Sequence, residues 1–242
     1  MTSKDKLIQV ALGEIGYLEK ASNKDLDDKV KNAGNKNFTK YARDLVKMVG
    51  SPYAQGAAWC DMFVDWCFVK AFGLEQAKIM LGGWSAYTPT SANYYKNTNR
   101  WFTTPSVGDQ IFFKNSQRIC HTGIVIEVTS GNVITVEGNT SSEAGVISNG
   151  GCVRKKQYKL GYKDIAGYGR PLYFEVEKHA GVLYDGVDIT EALNPKAFDA
   201  EKYRATFADL NAAFGDNWPD YYKHFVMFGK DEIATGKRPK FM

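Results

Sequence analysis

The chain has 242 residues, of which 44% are hydrophobic and 24% charged. That is enough for one large domain or a medium domain with an appendage, and too apolar for wholesale disorder. No run approaches the roughly 18 consecutive apolar residues of a membrane span, and the net charge of +4 divides unevenly, with 22 basic and 16 acidic residues up to Val176 and 9 against 11 from Glu177 onward. A basic body suits an anionic partner. With Arg154-Lys155-Lys156 as the longest basic run, nucleic acid is not the expected one.

Leu7, Val10, Ala11, Ile15 and Leu18 recur at helical spacing, so residues 4–19 read as an amphipathic helix. Residues 22–37 are polar and read as a loop. A second helix spans 38–49, with Tyr41, Leu45 and Val49 on one side, and ends at Gly50-Ser51-Pro52. Residues 59–72 are apolar almost all round, the mark of a buried helix, with Gly73 as its stop. A short helix over 89–97 follows Gly82-Gly83. From Val107 the period changes, and 110–113, 122–128, 132–137, 146–154 and 165–174 read as short strands. Helices first and an antiparallel sheet second predict an α+β fold. Past Glu175 the pattern weakens, then helices are expected over 198–214 and 220–228. The expected division is a main domain over 1–176 and a linker with a small helical module over 177–242.

The four cysteines, Cys60, Cys67, Cys120 and Cys152, form no close metal-ligand pattern and are too few for a disulfide scaffold. Free thiols in a reducing compartment are the simplest expectation. Cys60 opens the buried helix, where unpaired N–H groups and the helix dipole favour a thiolate, the reactive form. Cys67, on the same helix, reads as packing. A thiolate needs a base. His179 falls in the linker and His224 in the appendage, which leaves His121 at the start of a strand. In the run 133–139, alternation places Thr135, Glu137 and Asn139 on one face. If that strand pairs with 121–128 through a turn at Ser130-Gly131, Glu137 or Asn139 can hold the imidazole and fix its tautomer.

Four ordered segments carry a resemblance: Ala58-Trp59-Cys60-Asp61-Met62-Phe63, Gly108-Asp109-Gln110-Ile111-Phe112-Phe113, His121-Thr122-Gly123-Ile124-Val125 and Val136-Glu137-Gly138-Asn139-Thr140. Together with Gly167-Tyr168-Gly169-Arg170-Pro171, the stretch over about 4–174 resembles the CHAP domains, cysteine-dependent amidohydrolases and peptidases related to the NlpC/P60 enzymes. The resemblance implies a papain-like fold, with N-terminal helices packed on an antiparallel sheet. It also implies Cys60 as nucleophile, His121 as general base, and Glu137 and Asn139 as the residues that orient and polarise the histidine. Gln55 is the nominated side-chain donor to an oxyanion, beside the Cys60 N–H.

Such domains cut bacterial peptidoglycan, as N-acetylmuramoyl-L-alanine amidases or as endopeptidases of the stem peptide or cross-bridge. Some hold calcium on an acidic loop ahead of the cysteine. Here the acidic cluster Asp25, Asp27, Asp28 lies far upstream without that spacing, reads as a solvated helix face, and no metal or other cofactor is expected. The C-terminal module resembles a short helical module of clostridial surface and secreted proteins, which implies binding to wall polysaccharide. Its aromatics Tyr203, Phe207, Trp218, Tyr221 and Tyr222 suit either sugar stacking or a small core. Without a recognisable signal peptide, the expectation is a phage or prophage endolysin made in the host cytoplasm and acting on the wall, with neither membrane insertion nor a nucleic-acid partner. The same residues admit a wall-binding protein with a vestigial site, or a cytosolic papain-like cysteine protease or acyltransferase.

Overall fold

Thr2 starts the first helix, α1 (Ser3–Gly13), with a reciprocal cap: its hydroxyl accepts the Asp5 N–H and the Asp5 carboxylate accepts the Thr2 N–H. The computed structural model describes residues 2–147, 149–173, 183–184, 187–189, 192, 198–215 and 217–239. It divides the chain into two compact units, Met1–Tyr173 and Phe174–Met242.

In the first unit α1 is shorter than the apolar spacing predicts. The chain turns at Gly16, whose φ of 90° is left-handed, and Leu18 then forms a β-bridge to Cys152. Ile15 and Leu18 keep helical spacing without being helical. In the loop that follows, the Lys20 backbone bridges to both Ala33 and Phe38. The acidic cluster builds turns here and does not face solvent from a helix. Asp28 accepts the N–H groups of Val30 and Lys31 at 2.9 Å each, and Asp27 accepts a forked pair of bonds from Arg43 at 2.7 Å each.

Helix α2 (Lys40–Met48) is capped by the Thr39 hydroxyl, which accepts the Ala42 N–H. Helix α3 (Cys60–Phe72) is buried from Cys60 through Val69, in keeping with its all-round apolar sequence. Gly73 ends it as expected, but a further helix, α4 (Leu74–Leu81), begins at once. Helix α5 (Thr88–Lys96) closes the helical half.

Six strands follow: β1 (Trp101–Phe102), β2 (Gln110–Lys114), β3 (Ile119–Val128), β4 (Asn132–Thr140), β5 (Cys152–Lys159) and β6 (Ile165–Gly169). They form one antiparallel sheet in the order β1-β6-β2-β3-β4-β5. The strand expected at 146–154 begins six residues later, after a turn through Gly150 and Gly151, the latter at φ 78°. Ser148 lies outside the described residues, as does Phe174, the expected end of the last strand. The unit is α+β, with α3 packed on β3 and β4 and the other helices grouped around it.

Two glycines allow that packing. A Cβ at Gly138 on β4 would come within 2.5 Å of the Phe63 Cβ and 2.9 Å of the Trp59 ring, so the strand meets α3 only because no side chain is there. Gly123 on β3 plays the same part inside the sheet, where a Cβ would meet the Glu137 Cγ at 2.5 Å.

The second unit holds a two-stranded hairpin, β7 (Leu183–Tyr184) and β8 (Val187–Asp188), and the helices α6 (Ala200–Thr206), α7 (Ala208–Phe214), α8 (Trp218–His224) and α9 (Lys230–Ala234). The helix expected over 198–214 breaks at Phe207, whose backbone leaves the helical region while its ring packs edge-on against Tyr203 at 4.8 Å. A π-helical turn, Phe225–Gly229, joins α8 to α9. Tyr203, Phe207, Tyr221 and Tyr222 fill the small core with Phe198, Leu210 and Phe225, so four of the five aromatics singled out in the sequence are structural. Trp218 lies at the edge of that core. Between Glu177 and Pro195 only residues 183–184, 187–189 and 192 are described, and His179 falls outside the described residues.

The contact at Gly138 predicts that Gly138→Ala lowers stability by about 1–3 kcal/mol through overpacking against Phe63 and Trp59. Gly131→Ala, where an added Cβ meets nothing within 4 Å, is expected to stay within about 0.5 kcal/mol of the parent. Urea denaturation of the two variants checks both.

Candidate active site

Cys60 is the first residue of α3 and only 5% exposed, so its thiol sits where the helix leaves its first N–H groups unpaired. Trp59, just before it, is held on two sides. Its indole N–H donates to Glu19 Oε2 at 3.0 Å, and its ring stacks on Tyr41 with centroids 5.4 Å apart. The start of α3 is thereby fixed without a side-chain cap.

β3 and β4 pair antiparallel, with Ile124 opposite Val136 and Val125 opposite Thr135. That register sets Glu137 across from Gly123. The missing side chain at Gly123 lets Glu137 lie over β3 and reach His121, two residues along the same face. His121 Nε2 and Glu137 Oε2 are 3.0 Å apart, and both side chains are fully buried. Two further groups converge on the carboxylate: the Thr135 hydroxyl donates to Oε1 at 2.6 Å and the Tyr158 hydroxyl lies 3.2 Å from Oε2. A carboxylate surrounded by donors acts as an acceptor only, which assigns the imidazole proton on that side to Nε2. Phe113 covers the ring, with centroids 5.8 Å apart and planes 30° apart.

The other ring nitrogen, Nδ1, has no aligned hydrogen-bond partner. The Cys60 thiol lies close enough to the ring to act on its proton affinity by both hydrogen bonding and charge. Burial opposes an imidazolium here. Hydrogen bonding and charge from Cys60 and Glu137 outweigh burial and raise His121 from the ordinary 6.5 to about 9. Cys67, by contrast, is fully buried on α3, and burial pushes its thiol well up, away from reactivity.

A second buried network lies on the other face of β3. Asp61, next to Cys60, accepts the Ser91 hydroxyl at 2.5 Å and the Gln110 side-chain N–H at 3.1 Å. The same Gln110 nitrogen is 3.1 Å from the hydroxyl of Thr122, the neighbour of His121, and Gln110 Oε1 accepts from Tyr95. The residues following nucleophile and base are thus linked through one glutamine. Burial holds the carboxyls of both Asp61 and Asp65 above the usual range, and Asp65 accepts the Tyr53 hydroxyl at 2.5 Å.

Of the residues expected from sequence, Cys60, His121 and Glu137 come together. Asn139 makes no hydrogen bond to either ring nitrogen: Nε2 faces Glu137 and Nδ1 has no aligned partner. It is buried at a left-handed φ of 56°, beyond an irregularity in the β4–β5 pairing, and its carbonyl accepts the Gly150 N–H. Gln55 clips the start of α2. Its Oε1 accepts the Thr39 N–H at 2.9 Å and its Nε2 donates to the Thr39 carbonyl at 2.8 Å, leaving one amide hydrogen for another acceptor. Tyr158, Gln110 and Ser91 were not singled out beforehand. Gln110 lies within a segment the resemblance quotes, whereas nothing local marks Tyr158 or Ser91. Among the described residues, no group of three or more His, Cys, Asp or Glu side chains is placed to hold a metal ion.

The raised affinity of His121 for its proton has a definite sign. The folded state keeps the proton to about pH 9 and a free imidazole only to about 6.5. The charged pair's contribution to stability is therefore complete below about 6.5 and fades as pH rises through about 9. An NMR titration of the His121 ring is expected to show a midpoint near 9 in the wild type. In Cys60→Ala the midpoint is expected to fall, because burial then acts against one partner fewer.

Residues 52–139 match the family model described as the CHAP domain. No curated protein and no solved structure matches the chain. The matched span contains Cys60, His121, Glu137 and Asn139, and its α+β setting is that of the papain-like fold. CHAP domains are in general cysteine- and histidine-dependent hydrolases of the peptidoglycan amidase or peptidase type, and residues 52–139 of this chain are similar to such a domain.

Proposed function

We propose that the protein is a peptidoglycan hydrolase that cleaves an amide bond of the bacterial wall through Cys60. The observation that carries this reading is the buried His121–Glu137 pair at 3.0 Å, with the Cys60 thiol beside the ring. In the first half-reaction the Cys60 thiolate attacks the scissile carbonyl carbon. The tetrahedral intermediate collapses with cleavage of the C–N bond, and His121 Nδ1 protonates the departing amine. In the second, His121 takes a proton from water, which attacks the thioester. The C–S bond breaks, releasing a carboxylic acid and restoring the thiolate. Glu137 keeps its bond to Nε2 throughout, so the ring presents Nδ1 in both halves. The Cys60 N–H and the remaining amide hydrogen of Gln55 are the proposed donors to the oxyanion. Asn139 supports the site by shaping the end of β4.

The bond cut is either N-acetylmuramoyl-L-alanine or a link within the stem peptide or cross-bridge. The +6 of the segment up to Val176 suits an anionic wall. The second unit is proposed to bind wall polysaccharide, with the half-buried Trp218 at the edge of its core as the aromatic it offers. Trp218, Glu201, Arg204 and Asn211 border a cavity of about 380 Å³, a set of aromatic and polar side chains suited to a sugar. The setting proposed is lysis by a phage or prophage enzyme of clostridial-type bacteria, made in the cytoplasm and acting on the wall.

Cys60→Ala and His121→Ala are each expected to retain the fold and lower lysis of Gram-positive walls by at least about 10³-fold, while Cys67→Ala keeps substantial activity. Turbidity loss of purified walls checks all three, and wild-type lysis by Cys60→Ala would sink the assignment. Mass spectrometry of the released peptides then identifies the bond: new L-alanine amino termini indicate the amidase, internal termini the endopeptidase.

A further inference from the structure

The turn between β2 and β3 holds an arginine in a set position beside the catalytic pair. Asn115 Oδ1 accepts the N–H groups of Gln117 and Arg118 at 2.9 Å each, and the Asn115 N–H donates to the Arg118 carbonyl at 3.0 Å. Such an Asx-type turn fixes the backbone of Arg118. Its side chain is held as well. Nη1 donates to the Ile119 carbonyl at 2.9 Å, and the guanidinium lies over the ring of Tyr87, 5.3 Å from its centroid. Tyr87 is 53% exposed, so the pair faces solvent. Among the described residues no carboxylate lies within ion-pair distance of Arg118, whereas Arg43 is paired with Asp27 and Asp44, and Arg170 with Asp109.

The connections from this corner to the nucleophile are short. Arg118 is three residues before His121. The Thr88 hydroxyl, at the start of α5, donates to the same Ile119 carbonyl at 3.1 Å. One turn along α5, Ser91 donates to Asp61, the neighbour of Cys60. Cys120 lies between the two ends: burial raises its thiol, Arg118 lowers it, and Cys60 raises it again. Asp164 is the carboxylate that shares this corner and also acts on Cys120. A guanidinium with four uncommitted N–H bonds, preorganised on an aromatic face at the start of the strand that carries His121, is built to take a carboxylate in a forked bond.

We propose that Arg118, seated on Tyr87, is a specificity residue that holds a free carboxylate of the stem peptide near the scissile amide. The inference rests on the peptidoglycan-hydrolase reading and names the substrate class of that site. The chemistry selects a stem peptide whose D-isoglutamyl residue carries a free α-carboxylate over one in which that group is amidated. The amide is isosteric but neutral, and offers Arg118 one acceptor in place of two.

The test compares the full-length protein on two synthetic muramyl peptides that differ only in that group, D-isoglutamate against D-isoglutamine. The wild type is expected to favour the acid in kcat/KM by about tenfold or more, as a charge-assisted bond implies. Arg118→Gln brings the ratio to about one, and Arg118→Lys retains part of it. The preference also shrinks as salt rises, because the pair is exposed. Cleavage that depends on Cys60 but shows no preference, or a preference unchanged in Arg118→Gln, overturns this inference and leaves the hydrolase reading standing. Cleavage of neither peptide overturns this inference, and cleavage equally fast in Cys60→Ala overturns both.

Discussion

The site depends on one buried hydrogen bond, the 3.0 Å contact between His121 Nε2 and Glu137 Oε2. It determines which imidazole nitrogen carries the fixed proton, and so which one is left for Cys60. A carboxylate with no solvent contact is tolerable only if its lone pairs are occupied. The hydroxyls of Thr135 and Tyr158 help to do this, together with the ring itself. The backbone makes room at Gly123, where any side chain would displace Glu137. In the segment His121-Thr122-Gly123, each residue thus has a separate physical task. His121 carries the ring, Thr122 turns to the opposite network, and Gly123 clears the path.

Cys60 is placed by a different set of contacts. Trp59, held by Glu19 and stacked on Tyr41, fixes the start of α3 from the helical side. Asp61 fixes it from the sheet side, through Gln110 to Thr122. β3 therefore separates two buried polar networks, one orienting His121 and one tying the helix of Cys60 to the strand of His121. Removing a partner from either would strand a buried donor or acceptor at a cost of about 1–3 kcal/mol. That cost ties the site's geometry to the stability of the fold.

Much of this was legible in the sequence. The buried helix 60–72, the change of period near Val107, the turn at Ser130-Gly131 and the Glu137 face of β4 all follow from local chemistry, and the structure has them. Other features depend on distant partners. Nothing near Tyr158 signals that its hydroxyl reaches Glu137, and nothing near Ser91 signals Asp61. Periodicity misled at Ile15 and Leu18, because apolar spacing continues past the left-handed turn at Gly16. It misled again at 198–214, where Phe207 leaves the helix to bury its ring. Strict alternation also placed Asn139 with Glu137, but the β4–β5 pairing is irregular between Glu137 and Thr140, and Asn139 takes a left-handed φ of 56° there. Helix α4 went unseen because Gly73 ends one helix and begins the next. Gln55 looked available as a donor, and most of its amide is used to hold Thr39.

The central claim is that Cys60 becomes covalently acylated by wall peptide while His121, held by Glu137, manages the proton. Acid-quenching the wild-type protein during turnover of soluble muropeptides, followed by peptide mapping by mass spectrometry, tests it most directly. The account predicts a thioester adduct on the peptide containing Cys60, with the mass of the acyl half of the cleaved bond, and none on Cys67, Cys120 or Cys152. Turnover with no adduct on any cysteine, or an adduct on a cysteine other than Cys60, would contradict it.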